Sequence, residues 1–228
     1  SLEFGLFKTY AIPSISKLLY STRELVERCG RRYDDTDLLI REFLEHDPDE
    51  PRAVASIDRM NFIHSKYKIS NEDYLYVLSV FIVEPIRWVE RYGFRYPHDK
   101  EKQAIHLRWK IIGEQMGITD IPASYAAMEI YLDRFEEKNM VYSEFNVKVG
   151  TSTTNLFLSI LPEKVRPMCK PAIYALCPPR LRKAMGFPDP PTLLVVLIDA
   201  SLKLAGCFVR FFMPPRRLPK FRTSREPV

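Results

Sequence analysis

Apolar residues recur at three- and four-residue intervals along most of the chain, and sustained two-residue alternation is nearly absent. In IPSISKLLYSTRELVERCG, Ile15, Leu18, Leu19, Thr22, Leu25, Val26 and Cys29 share that spacing. Ser14 after Pro13 reads as its cap and Gly30 as its stop. RRYDDTDLLIREFLEH follows, with Leu38, Leu39 and Phe43 on one side. The next helix, EPRAVASIDRMNFIHSKYKIS, starts at Asp49 or Glu50 with Pro51 in its first turn. SNEDYLYVLSVFIVEPIRWVERYG opens on the capping-box pair Ser70 and Asp73. It is strongly apolar and contains Pro85, which predicts a buried, kinked central helix. HDKEKQAIHLRWKIIGEQMG and PASYAAMEIYLDRFEEKNM are two further amphipathic helices, the second capped by Ser124. TSTTNLFLSILPEKV, EKVRPMCKPAIYALC and PRLRKAMG are shorter and punctuated by proline. VVLI alone could pass for a strand, but TLLVVLIDASLKLAGCFVRFFMPP is longer and reads as a helix. The pattern therefore predicts an all-α fold, one irregular bundle of eight or nine helices over residues 1–212. A basic, Pro-rich tail over 213–228 follows it.

At 228 residues the chain can bury roughly 70 % of its unfolded surface, so a core forms without covalent staples. The four cysteines, Cys29, Cys169, Cys177 and Cys207, make no CxxC and no regular spacing. That excludes a disulfide framework and a zinc signature, and it favours idle thiols in a reducing compartment. Net charge is +5 but unevenly spread: from Glu163 onward 13 Lys and Arg face 4 Asp and Glu, whereas residues 1–162 carry 21 against 25. A basic C-terminal third on an acidic body suits an anionic partner, either membrane headgroups or nucleic acid. No nucleic-acid-binding module accompanies the basic residues, so nucleic acid is set aside. The segment 192–212 is long enough to span a bilayer, but Asp199, Lys203 and Arg210 make it a poor span. It reads instead as a helix packed on the body or lying at a membrane surface. The opening SLEFGLFKTY has no basic segment followed by a long apolar run, so no secretory leader is expected within it.

Phosphate-loop, dinucleotide, zinc-hydrolase and serine-hydrolase motifs are absent. No two of the histidines, His46, His64, His98 and His106, stand four apart, so none chelates a metal with another from one helix. His46 sits in an acidic helix end and reads as solvated or dipole-satisfying. His98 follows Pro97 at a helix start, and His106 lies one turn from Trp109; both read as structural. His64 differs, because Ile57, Met60, Asn61 and His64 share one face. Two readings stay open for it. One is a core histidine bonded to a backbone carbonyl; the other is a single-histidine ligand to a haem iron against an apolar wall. Upstream, Arg32, Asp35 and Thr36 lie within about one turn of each other at a helix start and can converge. Alternatively Asp35 caps that helix and Arg32 is solvated.

The residues FGLFKTYAIPSISKLL, then Arg32-x-x-Asp35-Thr36, a helix ending IHSKY, DYLYVLSVFIVEPIRW and MGITDIP resemble one family in order and wording. It is that of the fungal ER-bound oxygenase of mycophenolic acid biosynthesis, which shares a catalytic domain with bacterial rubber oxygenase, the latex clearing protein. The resemblance covers roughly residues 4–212. It implies a haem b domain with a globin-like core, His64 as the proximal iron ligand, and Arg32 and Thr36 lining the distal pocket. Rubber oxygenase has Lys where this chain has Asp35, which reverses the local charge and removes that ligand. No glutamate here matches the family's distal Glu: Glu24 and Glu27 come later than the facing SISKLLYS, so the general base is unassigned. The function implied is a haem-dependent oxygenase that uses dioxygen to cleave a C=C bond of an isoprenoid or other lipophilic substrate. Arg32, Asp35 and Thr36 would be its catalytic groups. Arg32 would stabilise partial negative charge, Thr36 would donate a hydrogen bond, and Asp35 would orient Arg32 or relay a proton. The basic C-terminal third would bring the protein to a membrane, and the resemblance implies an intracellular, endoplasmic-reticulum location. The alternative is a non-catalytic haem- or lipid-binding helical protein.

Overall fold

The computed structural model describes residues 2–214 and Thr223, and among them twelve α-helices form and no strand. In chain order these are α1 (Leu2–Thr9), α2 (Pro13–Ser21), α3 (Glu24–Glu27), α4 (Cys29–Glu45), α5 (Pro51–His64) and α6 (Asn71–Tyr92). Then come α7 (Asp99–Gln115), α8 (Tyr125–Asn139), α9 (Glu144–Leu158), α10 (Arg166–Leu176), α11 (Pro179–Met185) and α12 (Thr192–Phe212). The number exceeds eight or nine because the short, proline-punctuated segments each form their own helix and because α1 and the single-turn α3 are separate elements.

The helix predicted across Ser14–Gly30 is broken, although its apolar spacing continues. The Thr22 hydroxyl donates to the Leu19 carbonyl at 2.8 Å, which competes with helix continuation, and Arg23 then takes a left-handed φ of 58°. After that reversal α3 makes one turn. Gly30 falls in the first turn of α4 instead of stopping a helix. Ser14 caps nothing. Ile12 precedes α2, and the Ser14 hydroxyl reaches across to Asp73 Oδ1 at 2.6 Å, tying α2 to α6. Asp35 is not a cap either, because α4 begins six residues earlier, at Cys29.

Helix α6 is the axis of the core. Ser70 accepts from the Asp73 amide at 3.1 Å, as predicted, and the helix runs through Pro85 as one element. Tyr76, Val80, Ile82 and Val83 are wholly buried. Helices α1, α7 and α8 pack around it, α4 packs on α5, and α9 carries α2, α10 and α11. A buried ion cluster pins α1 to α6 and α8: Lys8 Nζ lies 2.6 Å from Glu84 and 2.8 Å from Glu136, and the Tyr76 hydroxyl donates to Glu136 at 3.4 Å.

His98 caps α7 by accepting from the Lys100 amide at 3.2 Å, with Glu101 closing the capping box on the His98 amide at 2.8 Å. His106 is fully buried and bonds through Nε2 to the Pro122 carbonyl at 2.9 Å. Of the two expectations for His46, solvation fails, while its place at the C-terminal end of α4 stands. Its side chain is 9 % exposed, not solvated, and its Nδ1 lies 2.7 Å from Glu50. All four cysteines are free, and burial pushes the Cys177 thiol up to about 12. The predicted tail lies outside the described residues except for residues 213, 214 and Thr223. Thr223 donates from its amide and hydroxyl to Glu45 Oε2, both at 2.8 Å.

Candidate functional site

A cavity of about 390 Å³ opens between helices α1 to α7. Its volume is that of a site for a sizeable small molecule. Most of its wall is apolar, including Leu25, Ile40, Met60, Leu78 and Ile112. Phe81 and Trp109 stack at 5.1 Å on that wall, and Phe43 meets Trp109 edge-on at 5.9 Å. His64, Arg32, Asp35 and Thr36 all line this one cavity, so the two sequence segments that carry them are brought together.

His64 is the last residue of α5, and its ring faces Tyr74 at 5.5 Å between centroids. Its Nδ1 is buried and has no hydrogen-bond partner, the one such side-chain atom among the described residues. A buried polar atom left unmade costs about 1–3 kcal/mol. The carbonyl bond expected of an ordinary core histidine is made by His106 and not by His64. Burial depresses the His64 pKa, and the charge of Arg32 lowers it further. The imidazole is therefore neutral near neutrality, with a lone pair available for a ligand.

Arg32 and Thr36 stand one turn apart on α4, so both side chains reach the same face. The Arg32 guanidinium donates to the Thr36 hydroxyl, whose own proton goes to the Arg32 carbonyl at 2.9 Å. Thr36 thus holds the cation and has no proton left for a ligand. Asp35 is exposed at the cavity's edge and, among the described residues, makes no ion pair with Arg32. Arg32 also acts on Tyr10, whose pKa burial raises strongly and Arg32 partly restores. Tyr33 is likewise raised, first by burial and then by its hydrogen bond to Glu3.

The structure adds cavity residues that the sequence reading did not place. Glu24, on α3, lines the cavity, whereas Glu27 turns outward to Arg23 at 3.8 Å. The break in the predicted helix creates this division. Asp73 also lines the cavity but is engaged by Ser14 at 2.6 Å. A second, more polar hollow of about 410 Å³ adjoins the first, and Leu6, Tyr33, Thr36, Ile40 and Phe81 line both.

Among the described residues no three of His, Cys, Asp and Glu are grouped to hold a bare metal ion. The donor set is one neutral imidazole with an unpartnered buried nitrogen beside an apolar wall and a fixed cation. That combination fits a flat, apolar macrocycle whose metal needs a single protein ligand.

A model of the family "ER-bound oxygenase mpaB/B′/Rubber oxygenase, catalytic domain" matches residues 27–210. An ER-bound oxygenase mpaB′ from Penicillium brevicompactum is 32 % identical over 94 % of this chain and 55 % of its own length. An ER-bound oxygenase mpaB from Penicillium roqueforti is 33 % identical over 80 % of this chain and 67 % of its own. The mpaB of Penicillium brevicompactum is 36 % identical over 64 % and 39 % respectively. The chain therefore spans about half the length of the first of these relatives.

Proposed function

The chain belongs to the family of the ER-bound oxygenases mpaB and mpaB′ and the rubber oxygenase catalytic domain, and from that premise we propose that it is a haem b-dependent oxygenase. Its reaction is the oxidative cleavage of a C=C bond in an isoprenoid or other lipophilic chain. The observation that carries the reading is His64: a neutral imidazole with an unpartnered buried nitrogen on the wall of an apolar cavity of about 390 Å³.

Haem b, when bound, supplies an iron centre for one-electron and dioxygen chemistry. His64 holds it through the ring, and its depressed pKa keeps that ring unprotonated at neutral pH. Arg32 contributes a fixed positive charge where negative charge develops on oxygen, and Thr36 keeps that charge aimed. The apolar wall excludes water and receives the greasy substrate. Glu24 and Asp35 are the cavity carboxylates that no cation or hydroxyl engages among the described residues; addition of dioxygen across a C=C bond gives two carbonyls without net release of a proton, so any proton such a carboxylate takes from the substrate it must return.

The test is a hemin titration of the full chain beside His64→Ala. A Soret band that shifts on reduction, and that is lost or displaced in the variant, supports the reading. Oxygen uptake with a polyprenyl compound then separates turnover from mere haem binding. No Soret band in the parent protein would end the proposal.

A further inference from the structure

Helix α12 has two unlike faces. Leu194, Ile198, Leu202 and Gly206 recur every four residues and are its less exposed positions, where it packs on α10 and on α6. A Cβ at Gly206 would lie 2.4 Å from the Tyr92 carbonyl oxygen, so helix and body meet there backbone to backbone. Asp199 completes this seam: it accepts from Arg91 at 2.6 Å and from the Tyr92 hydroxyl at 3.1 Å, and it pairs with Lys203 at 2.7 Å.

The opposite face is open. Leu193, Val196, Leu197, Leu204, Phe208 and Phe211 fall on one side at 3.6 residues per turn, and they are 57–73 % exposed. Ala200 and Cys207 fill the positions between, so no side chain on this face offers a strong donor or acceptor. Lys203 and Arg210 run along one border between the open face and the seam.

Such a face is unusual for a water-exposed surface. A non-obligate protein interface is about as polar as ordinary surface and carries hydrogen bonds, which this face cannot make. Hydrocarbon needs none. The cationic border matches anionic headgroups, because Lys and Arg can lay their stems along apolar surface and keep the charge at phosphate level. The seam to α6 and α10 opposes a crossing of the bilayer, since a span would strip Asp199 of Arg91 and Tyr92.

We propose that the open face of α12 is a membrane-docking surface, with the helix lying in the plane of an anionic bilayer surface. Leu197, Leu204, Phe208 and Phe211 enter the acyl boundary, and Lys203 and Arg210 rest among the phosphates. The proposal does not depend on haem.

The experiment is sedimentation of the full chain with vesicles of phosphatidylcholine, with and without phosphatidylserine. The paired change Leu204→Asp and Phe208→Asp should lower partition at least about tenfold on both vesicles. Arg210→Glu should lower it about fivefold or more on the anionic vesicles only, and added salt should act in the same direction. These side chains are more than half exposed or charged, and circular dichroism checks that each variant folds as the parent does. Orientation is read by Leu197→Trp and Phe208→Trp, about 16 Å apart along the axis, through quenching by brominated lipids. Equal depth supports the in-plane helix. Unequal depth, unchanged binding of the paired aspartate variant, or no vesicle binding with the face instead joining two copies by light scattering overturns it.

Discussion

The Arg32 guanidinium donates to the Thr36 hydroxyl, and the same hydroxyl donates back to the Arg32 carbonyl at 2.9 Å, so the two residues form one closed unit on the cavity face of α4. The cation it holds acts on both His64 and Tyr10. Thr36 is therefore a positioning residue for Arg32 and not an independent donor.

Thr36→Val keeps the shape and removes the acceptor. The guanidinium is then free to swing, and turnover of the haem-loaded protein should fall about tenfold, less than the 10²–10³ typical when a direct donor is deleted. Thr36→Ser should restore most of the rate, and the Soret band should be unchanged in both. Oxygen-uptake rates check this; parental turnover in Thr36→Val would remove Thr36 from the unit.

His64 makes stability depend on pH. Its folded pKa lies below the ordinary 6.5, so the unfolded chain binds more protons in that window. The His64 contribution is therefore fully present above pH 6.5 and is lost as pH falls toward the folded value. His64→Phe removes that slope and also removes a buried nitrogen without a partner, so the haem-free variant should be no less stable than the parent at neutral pH. Urea unfolding at several pH values reads both effects; a parent and variant with parallel pH profiles would contradict them.

Lys8 is the single cation at 2.6 and 2.8 Å from two buried carboxylates, Glu84 and Glu136. Lys8→Met leaves Glu136 without its close cation and Glu84 with only Arg87 at 4.0 Å, and breaking a buried pair from one side costs about 3–5 kcal/mol. Burial already raises the Glu136 pKa, and Lys8 opposes that rise. In the variant Glu136 protonates more readily, so the loss should be largest at neutral pH and shrink in acid. Denaturant midpoints of parent and variant at neutral and acid pH test the sign.

Long amphipathic segments were legible because periodicity reports burial directly. The α12 boundaries, the Ser70 cap and the Ser124 cap could be read from spacing and residue type. The break at Arg23 could not, because its apolar spacing continues through Leu25 and Val26, and only backbone reversal and the Thr22 bond reveal it. Missing that break also hid Glu24, which reaches the cavity only because α3 is a separate turn. His64 stood out on an apolar face, but its unpartnered nitrogen is a tertiary fact. His106 carried no clearer local signal and proved to be the ordinary core histidine. The face of α12 was legible as apolar; which side meets the body depends on Gly206 and Asp199 finding Tyr92 across the chain.

Arg32 itself separates charge from geometry. Two causes depress the His64 pKa, burial first and the Arg32 charge second. Arg32→Gln removes the second, so the His64 titration followed by NMR should move partway back toward 6.5 while staying below it. Tyr10 should respond oppositely in appearance but by the same physics. Arg32 lowers its phenol pKa, so removing the cation lets burial push that phenol higher still. Arg32→Lys keeps a positive charge on a flexible stem without the planar fork that Thr36 engages. It should leave His64 near its parental pKa yet lose turnover of the haem-loaded protein, about as Thr36→Val does. If Lys and Gln shift His64 equally, the electrostatic link between α4 and α5 is not a charge effect. If Lys retains full turnover, the fork that Thr36 holds has no part in the reaction.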